Sequence, residues 1–548
     1  MSTDADENTM KILVATDNHV GYLEDDPVRG QDSFRAFEEV LQMAQRHEVD
    51  FIILGGDLFH HNKPSRSCLY TTLKLLRRYC MGNKPSKIFI ASDQSLNFSD
   101  EFCIANYLDD NYNISYPIFS IHGNHDDPSG AGNLCALNVL SVSGLMNYFG
   151  RCHNLNDLTL YPILMQKGTT RLALYGLGNV RDERLHRAWR DHLVKFVRPL
   201  DEEWQEAFNI FVLHQNRAAH GPTSHIPEEF LDGFLDLVIW GHEHECRINP
   251  EASEACDITQ PGSSVATSLS EGEAVPKHIG LLRITGKEYT MEKLRLANVR
   301  PFQYTSIDLT SVPDLRVSDA KACQAYFVRV VEDLMNRAKA EWEEQQQQAR
   351  QASASESLPH PRIEPMPLPL IRVRVQYGDG FETFNAHSFG QKFAGRVANP
   401  KDILKFQRIR ATTSSQRQKA TDILKDLSSM IPERLDRLKV EDLVGELLKD
   451  LSLLPENELQ DTVKAFVEKD DHKAITQFVE KALNRAQTSS VPEEMTDLTD
   501  DFVKRRAAAT KQSRVQAYAN EQSGRRRRTS DASDTDLSNK RPRIGSSS

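Results

Sequence analysis

The sequence predicts an α/β fold with layered sheets and helices between Met10 and about Ala297. Short runs of aliphatic and β-branched residues alternate there with helical patterns, which is the rhythm of a layered α/β domain. Most runs are followed within a few residues by Asp, Asn or His, and polar residues that follow buried strands share one edge of a sheet. The predicted strands lie at Ile12–Ala15, Phe51–Leu54, Pro117–Ile121, Leu172–Leu177, Ile210–Leu213 and Leu235–Trp240.

A smaller α+β unit is predicted to follow, from Val299 to Ala411. Its clearest element is the alternating strand Ile371–Tyr377, which directs Ile371, Val373 and Val375 toward a core and Arg372 and Arg374 to the opposite face. Those two arginines are either a solvated strand face or phosphate contacts. The segment Gln345–Pro369 is rich in Gln, Ser and Pro, and we expect it to be a flexible loop.

The remainder of the chain is predicted to be helical and then disordered. Residues 412–490 have leucines at helical spacing, which indicates a small helical domain or an element that docks on a partner. Residues 491–548 are poor in apolar side chains and form a disordered basic tail. Its clusters Arg525–Arg528 and Lys540–Arg543 suit nuclear import or DNA tethering, or simply add solubility. The predicted domains are therefore 10–298, 299–411, 412–490 and 491–548.

Composition excludes several classes of protein. A chain of 548 residues suggests three or four units, and it contains no apolar run of the roughly 20 residues that a membrane span needs. Its first nine residues contain Asp4, Asp6 and Glu7 where a secretory signal would be basic and then apolar. The eight cysteines are scattered without a CxxC pair, so we expect reduced thiols in a cytosolic or nuclear protein.

Five groups of residues predict a dinuclear metal site. Carboxylate, imidazole and amide ligands without thiolates favour Mn²⁺, Fe²⁺ or Zn²⁺ over Ca²⁺ or soft metals. Together the groups are far more specific than a lone histidine, which is more often a hydrogen-bonded core residue. They are Asp17-Asn18-His19, Gly56-Asp57-Leu58-Phe59-His60, Gly123-Asn124-His125-Asp126, His214 and Gly241-His242-Glu243-His244.

The spacing within these groups suggests how they converge. On an extended backbone, residues i and i+2 point the same way, so Asp17 and His19 can face one ion, as can His242 and His244. Glycines at 56, 123 and 241 allow sharp turns at the strand ends. One carboxylate such as Asp57 can bridge two ions about 4 Å apart, which is the geometry of two-metal phosphoryl chemistry.

These groups resemble the motifs of the calcineurin-like metallophosphoesterases: DxH, GDxx, GNH(D/E), a lone His after a strand, and GHxH. The resemblance implies a four-layer αββα sandwich, here with a smaller α+β capping domain and a C-terminal helical region. It implies one ion bound by Asp17, His19, Asp57 and His244, and a second bound by Asp57, Asn124, His214 and His242. It further implies that His125 donates a proton to the leaving oxygen and that Asp126 orients His125.

The flanking residues narrow the resemblance to the eukaryotic DNA break-repair nucleases, the relatives of bacterial SbcD. It rests on stretches such as Thr16–Gly21, Ile121–Pro128, Gly241–Cys246 and Gln260–Ser264, and it extends to Gly395–Asp402. His60 fits the nuclease branch, where it positions the substrate phosphate. Protein phosphatases would instead show GDxVDRG and GNHE, and the sequence has neither.

This narrower resemblance also implies partners. It implies homodimerisation through helices near Leu69–Tyr79 and Leu134–Met146, whose leucines could instead pack on the sheet. It implies a third subunit at the loop Ser92–Phe98, and a coiled-coil ABC-type ATPase at the helical region after Ser415. Because the sequence has no Gly-rich phosphate loop ending in GKS or GKT, ATP hydrolysis would belong to that partner.

The resulting hypothesis is a nuclear enzyme with two Mn²⁺ ions that cleaves DNA during double-strand-break repair. We expect single-strand endonuclease and double-strand exonuclease activity, with the unit 299–411 capping the active site. Two alternatives stay open: a phosphatase or phosphodiesterase of the same fold, and a scaffold that tethers DNA ends.

Overall fold

The computed structural model describes residues 7–98, 101–129, 131–152, 158–219, 221, 223–312, 315, 319–355, 365–378, 381 and 383–409. These residues fall within one compact unit. The predicted helical region 412–490 and the basic tail 491–548 lie outside the described residues, and so does the end of the predicted capping unit.

Two mixed sheets form the centre of the fold, with strands numbered along the chain. In spatial order, the first sheet contains β15 (Glu288–Arg295), β14 (His278–Thr285), β1 (Met10–Ala15), β2 (Phe51–Gly55), β4 (Ile118–Ile121) and β5 (Asn147–Tyr148). The second contains β12 (Arg247–Ala252), β13 (Asp257–Gln260), β11 (Leu237–Gly241), β10 (Phe208–His214), β8 (Thr170–Leu177), β7 (Ile163–Lys167) and β3 (Phe89–Ile90). The six predicted strands are all present, each within a few residues of its predicted bounds.

Helices cover the outer faces of both sheets, so the layer order is αββα. Alternation along β1 shows why: Ile12 and Val14 face the second sheet, whereas Leu13 and Ala15 face the helices. The first sheet is covered by α1 (Asp32–Arg46), α2 (Arg66–Cys80) and α3 (Ala136–Val142), and the second by α4 (Asp182–Arg190) and α5 (Glu202–Gln205). A small parallel pair, β6 (Leu158–Leu160) and β9 (Val194–Phe196), lies beside the second sheet. The predicted four-layer sandwich is confirmed.

The smaller unit contains a parallel three-stranded sheet and its own core. Its strands are β16 (Phe302–Asp308), β17 (Leu370–Tyr377) and β18 (Leu404–Arg408), and its helices are α6 (Ala320–Ser355) and α7 (Ala386–Gly390). Ile371, Val373 and Val375 are fully buried and the two arginines between them are partly exposed, so the predicted alternation is confirmed.

The prediction of a flexible loop over Gln345–Pro369 is wrong in its first part. Helix α6 continues to Ser355, and Gln345 is buried, with its side-chain amide donating to the Leu296 carbonyl at 2.9 Å. Composition misled here because Gln and Ala are also good helix formers.

Arg300 joins the smaller unit to the sandwich. Its guanidinium forms a buried two-point ion pair with Asp32 of α1, at 2.6 and 2.7 Å. It also donates to the carbonyls of Val28 and Leu368. Within the described residues, no helix is both long and apolar enough to span a bilayer.

Candidate metal centre

The candidate site lies where strands of both sheets end at a common edge. β1, β2 and β4 are parallel, so Asp17, Asp57 and Asn124, which follow them, emerge on the same side. β10 and β11 are also parallel, and they bring His214 and His242 to that side from the second sheet. The edge is therefore built from segments more than 200 residues apart.

The first cluster of ligand atoms contains Asp17, His19 and His244. The Nε2 atoms of His19 and His244 lie 3.0 Å apart, and Asp17 Oδ1 lies 3.6 Å from His244 Nε2. Asp57 Oδ2 completes the group at 3.9 Å from His19 Nε2. The ligand atoms of Asp17, His19 and His244 lie close enough together for a single cation to contact all three.

The second cluster contains Asp57, Asn124, His214 and His242. Asn124 Oδ1 lies 3.2 Å from His214 Nε2 and 2.9 Å from His242 Nδ1. Asp57 Oδ2 lies 3.3 Å from His214 Nε2. The same oxygen of Asp57 thus lies near histidines of both clusters.

His60 and His125 lie beside the first cluster. Their rings stack with centroids 4.8 Å apart, and the Nδ1 atoms of His60 and His19 are 3.4 Å apart. His125 Nδ1 lies 2.7 Å from the His60 carbonyl oxygen, so it donates to that oxygen. In the neutral ring this contact places the proton on Nδ1 and leaves Nε2 unprotonated.

Asp126 is fully buried, and its carboxylate accepts backbone N–H bonds. The donors are Gly123 at 2.7 Å and Phe59 at 3.2 Å. Asp126 therefore fixes the turn that carries His125, while the His60 carbonyl holds the His125 ring. Burial and nearby Asp57 raise the pKa of Asp126 to about 7.

The backbone geometry of the site differs from the one predicted for it. Asp17, His19, Asp57 and His242 have φ values of 51°, 44°, 50° and 83°, in the left-handed region that side-chain-bearing residues rarely adopt. The prediction that Asp17 and His19, and likewise His242 and His244, face one ion because the backbone is extended was therefore wrong. The first pair meets through left-handed backbone, and His242 and His244 lie in different clusters. Local strain of this kind is typical of functional sites, where surrounding structure enforces it.

Three glycines make room for this arrangement. Gly56 has φ +96° and supplies a turn that the prediction required. Gly123 and Gly241 are needed for close approach instead. A Cβ at Gly123 would collide with the Asp57 carboxylate, and one at Gly241 would lie 2.8 Å from His214 Nδ1.

Comparisons with known proteins identify the chain's relatives. A family model described as calcineurin-like phosphoesterase matches residues 10–246, and one described as Mre11 DNA-binding presumed domain matches residues 289–466. The double-strand break repair protein MRE11 of Homo sapiens is 46% identical over 497 residues, covering 88% of this chain and 67% of the relative. The chain belongs to the MRE11 family.

Other members show the same relationship. The MRE11 proteins of Gallus gallus and Arabidopsis thaliana are 45% and 43% identical, each over 89% of this chain and over 69% and 66% of their own lengths. A dimetal phosphatase structure from Danio rerio is 11% identical with a TM-score of 0.28, covering 52% of this chain and 96% of its own, too weak to establish a shared fold.

Membership in the MRE11 family confirms the predicted family, and the phosphoesterase match makes the chain a metal-dependent phosphoesterase, a hydrolase. The second model supports DNA binding by the chain. The predicted domain boundaries and the role of each site residue stay predictions.

The histidines of this MRE11-family site are held from behind by further residues. His214 Nδ1 donates to the Gly55 carbonyl at 2.8 Å. His244 Nδ1 lies 3.0 Å from Glu273 Oε1, and His242 Nε2 lies 2.7 Å from Asn216 Oδ1. Such contacts fix the tautomer and orientation of ligand histidines.

Sequence reasoning missed Glu273 and also Asp182, which accepts from the Asn216 amide at 2.7 Å. Asn216 lies two residues after His214, and that proximity is the one sequence signal that could have pointed to it. Glu273 has no nearby motif, since it lies 29 residues beyond His244 in a loop. No sequence signal distinguishes it from its exposed neighbour Glu271.

The electrostatics of the site fit cation binding. Asp17, Asp57 and the two histidines His19 and His214 are fully buried, and Asp17 Oδ1 accepts no hydrogen bond. Burial raises the pKa of Asp17 and lowers the pKa of His19. Burial also lowers the pKa of His214, but Asp57 and Asp17 outweigh this effect and raise it to about 10.

A buried carboxylate with an unsatisfied oxygen is costly unless a positive charge compensates it. The donor set of carboxylate, imidazole and amide suits divalent ions of the Mn²⁺ and Zn²⁺ type. The residues present therefore fit the divalent metal ions that the phosphoesterase family implies.

Proposed function

We propose that this chain is a Mn²⁺-dependent DNA nuclease that acts in double-strand-break repair, as a single-strand endonuclease and a double-strand exonuclease. The observation that carries the proposal is the convergence of seven side chains in two adjacent clusters, with Asp57 Oδ2 lying near histidines of both. The seven side chains are Asp17, His19, Asp57, Asn124, His214, His242 and His244.

Two Mn²⁺ ions would be held by these residues. One would be bound by Asp17, His19, Asp57 and His244, and the other by Asp57, Asn124, His214 and His242. When bound, such ions stabilise charge on phosphoryl oxygens and lower the pKa of coordinated water.

The remaining polar groups suit proton transfer and phosphate positioning. His125 would donate a proton from Nε2 to the leaving oxygen, since its Nδ1–H already donates to the His60 carbonyl. The His60 carbonyl oxygen also favours the imidazolium form of His125, because it accepts a hydrogen bond from Nδ1 while Nε2 carries the proton to be donated. His60 is stacked on His125 and would position the scissile phosphate. Burial and the neighbouring His125 lower the pKa of His60 to about 3, so it would act as a neutral group.

Cleavage of DNA by the purified full chain in Mn²⁺ tests this function. We expect His125→Asn to lose cleavage while it still binds two Mn²⁺ ions in a titration followed by electron paramagnetic resonance. Unchanged cleavage by this variant would contradict the assigned proton donor. If the wild-type chain hydrolyses aryl phosphates but no DNA, the phosphatase alternative is correct. If it binds DNA ends and cleaves neither substrate, the scaffold alternative is correct.

The family also suggests an assembly, which we propose for this chain in the nucleus. The smaller unit, 299–411, would cap the active site and hold DNA. A homodimer would use α2 and α3, where Tyr70, Val139 and Val142 are exposed although the leucines of both helices pack in the core. An ABC-type coiled-coil ATPase would bind residues 412–490.

A third subunit would bind near Ser92–Phe98. This segment includes a 3₁₀ turn at Gln94–Leu96, and Leu96 is half exposed while Phe98 is buried. Further exposed apolar side chains lie close by in the sequence at Phe89, Phe102 and Ile104. Exposed apolar side chains in such numbers suit a protein interface.

A further inference from the structure

Glu273 lies in a loop behind the first cluster of candidate metal ligands, and it contacts His244. It is 3% exposed, and it forms part of a single 3₁₀ turn at Gly272–Ala274. Its Oε1 lies 3.0 Å from His244 Nδ1, the nitrogen that faces away from the cluster. His244 can present Nε2 to a cation while Nδ1 carries a proton, and Nδ1 can donate that proton to this carboxylate or to Thr267 Oγ1, which is also 3.0 Å away.

The carboxylate of Glu273 is itself held firmly. Its Oε2 accepts from Lys277 Nζ at 3.0 Å and from Ser263 Oγ at 3.2 Å, and Lys277 is also buried. Its Oε1 accepts the Ser268 N–H at 2.9 Å. A side chain with this many donors has little rotational freedom, so it can fix the orientation of the imidazole.

The same loop packs against the smaller unit. Ala266 and Ala274, on either side of Glu273, lie in one apolar cluster with Phe302 of β16, Leu370 of β17 and Ala398. A displacement of the smaller unit would therefore move the loop, and with it the carboxylate that holds His244.

We propose that Glu273 is a positioning residue for His244, and that through it the packing of the smaller unit on the 263–277 loop sets the affinity of one metal position. This inference rests on the proposed role of His244 as a metal ligand. It adds a physical route by which a capping unit can control the metal content of the site.

Titration of the purified full chain with Mn²⁺, followed by electron paramagnetic resonance and calorimetry, tests the first part. We expect Glu273→Ala to weaken the binding of one of the two Mn²⁺ ions by roughly 10- to 100-fold and to leave the affinity for the other unchanged. Glu273→Gln should show a smaller loss, because its carbonyl oxygen can still accept from His244. Glu271→Gln, an exposed change two residues away, should match wild type.

Two further measurements separate positioning from a folding defect. Excess Mn²⁺ should restore DNA cleavage to Glu273→Ala, which an unfolded protein would not permit. The double variant Glu273→Ala with Lys277→Met, which removes the unpaired ammonium, should show the same loss of affinity.

The second part is tested by two matched phenylalanines of the smaller unit. Phe302→Ala removes the ring that packs on the loop, and we expect the same ion to bind several-fold more weakly. Phe389→Ala removes a buried ring from the unit's own core, away from the loop, and should leave both affinities unchanged. Equal effects of the two changes, or none, would overturn the coupling.

The outcomes distinguish this inference from the proposed function. If the wild-type chain binds no Mn²⁺, the proposed function fails. If wild type binds two ions and Glu273→Ala binds both with unchanged affinity, only the positioning role of Glu273 is refuted.

Discussion

Replacement of Asp57 by Asn should remove both ions at once, which replacement of no other single ligand should do. The substitution keeps the side-chain shape and an oxygen that can accept the His125 N–H, now accepted by Asp57 Oδ1 at 2.8 Å. It removes the negative charge that borders both clusters, at 3.9 Å from His19 Nε2 and 3.3 Å from His214 Nε2. An opposite charge at about 4 Å contributes about 4 kcal/mol at a dielectric constant of 20, or about 1,000-fold in affinity for each ion.

Thermal unfolding with and without Mn²⁺ measures this effect. At 100 times the dissociation constant, each bound ion adds about 2.7 kcal/mol to the free energy of unfolding, so wild type should gain about 5 kcal/mol from two ions. Asp57→Asn should gain almost nothing, and the exposed change Asp110→Asn should behave like wild type. A Mn²⁺-dependent gain of wild-type size in Asp57→Asn would refute the bridging role of this carboxylate.

Three further predictions follow from packing and charge. Gly123→Ala should lose Mn²⁺ binding and about 1–3 kcal/mol of unfolding free energy in urea, because its Cβ would lie 2.6 Å from a backbone nitrogen. Gly233→Ala is the control, because a Cβ at Gly233 would have no atom within 4 Å. Mn²⁺ affinity should rise with pH between 6 and 9, because the pKa of His214 is raised to about 10 without metal and its proton must leave before an ion binds. Calorimetry in two buffers counts the released proton. An affinity that does not depend on pH would contradict this prediction. Arg300→Ala should cost about 3–5 kcal/mol of unfolding free energy, because it leaves the carboxylate of Asp32 unpaired. Arg283→Ala removes an exposed ion pair with Glu292 and should cost under about 1 kcal/mol. Equal costs for the two changes would contradict this prediction.

The strands and the ligand set were predictable because they depend on local pattern and residue type. Runs such as Phe51–Leu54 are apolar throughout, so they are buried on both faces, and most of them are followed within a few residues by Asp, Asn or His. The glycines at 56, 123 and 241 were also noticed. The sequence did not predict that Gly123 and Gly241 are needed for close approach. A Cβ at either position would collide with Asp57 or His214, and both are distant in sequence.

The second layer of the site could not be predicted, because it depends on tertiary contacts alone. Glu273 meets His244 only because its loop folds back against the turn that follows β11, and Asp182 meets Asn216 only because α4 covers the second sheet. The left-handed backbone at Asp17 and His19 is equally invisible in the sequence. Its local cost must be offset by the packing of both sheets around it.

Unequal charge at the two metal positions leads to a final prediction. At the position lined by His244, Asp17 Oδ1 lies 3.6 Å from His244 Nε2 and Glu273 lies behind that ring. At the position lined by His214, Asp17 Oδ1 is farther away, at 4.0 Å from His214 Nε2, and Asn124 contributes a neutral amide. Burial raises the pKa of Glu273, but Lys277 and His244 reverse this and hold that pKa well below its ordinary value, so Glu273 stays ionised. Because negative charge near a buried cation strengthens binding, the first position should bind Mn²⁺ more tightly.

A Mn²⁺ titration should therefore show two separate steps. His244→Asn should remove the tighter step and His214→Asn the weaker one, while each variant keeps the other ion. The two histidines are matched in kind, so a difference between the variants reports the charge around them. If His214→Asn removed the tighter step, the local carboxylates would not determine the order of binding, and the stabilisation would have to come from the backbone carbonyl behind His214.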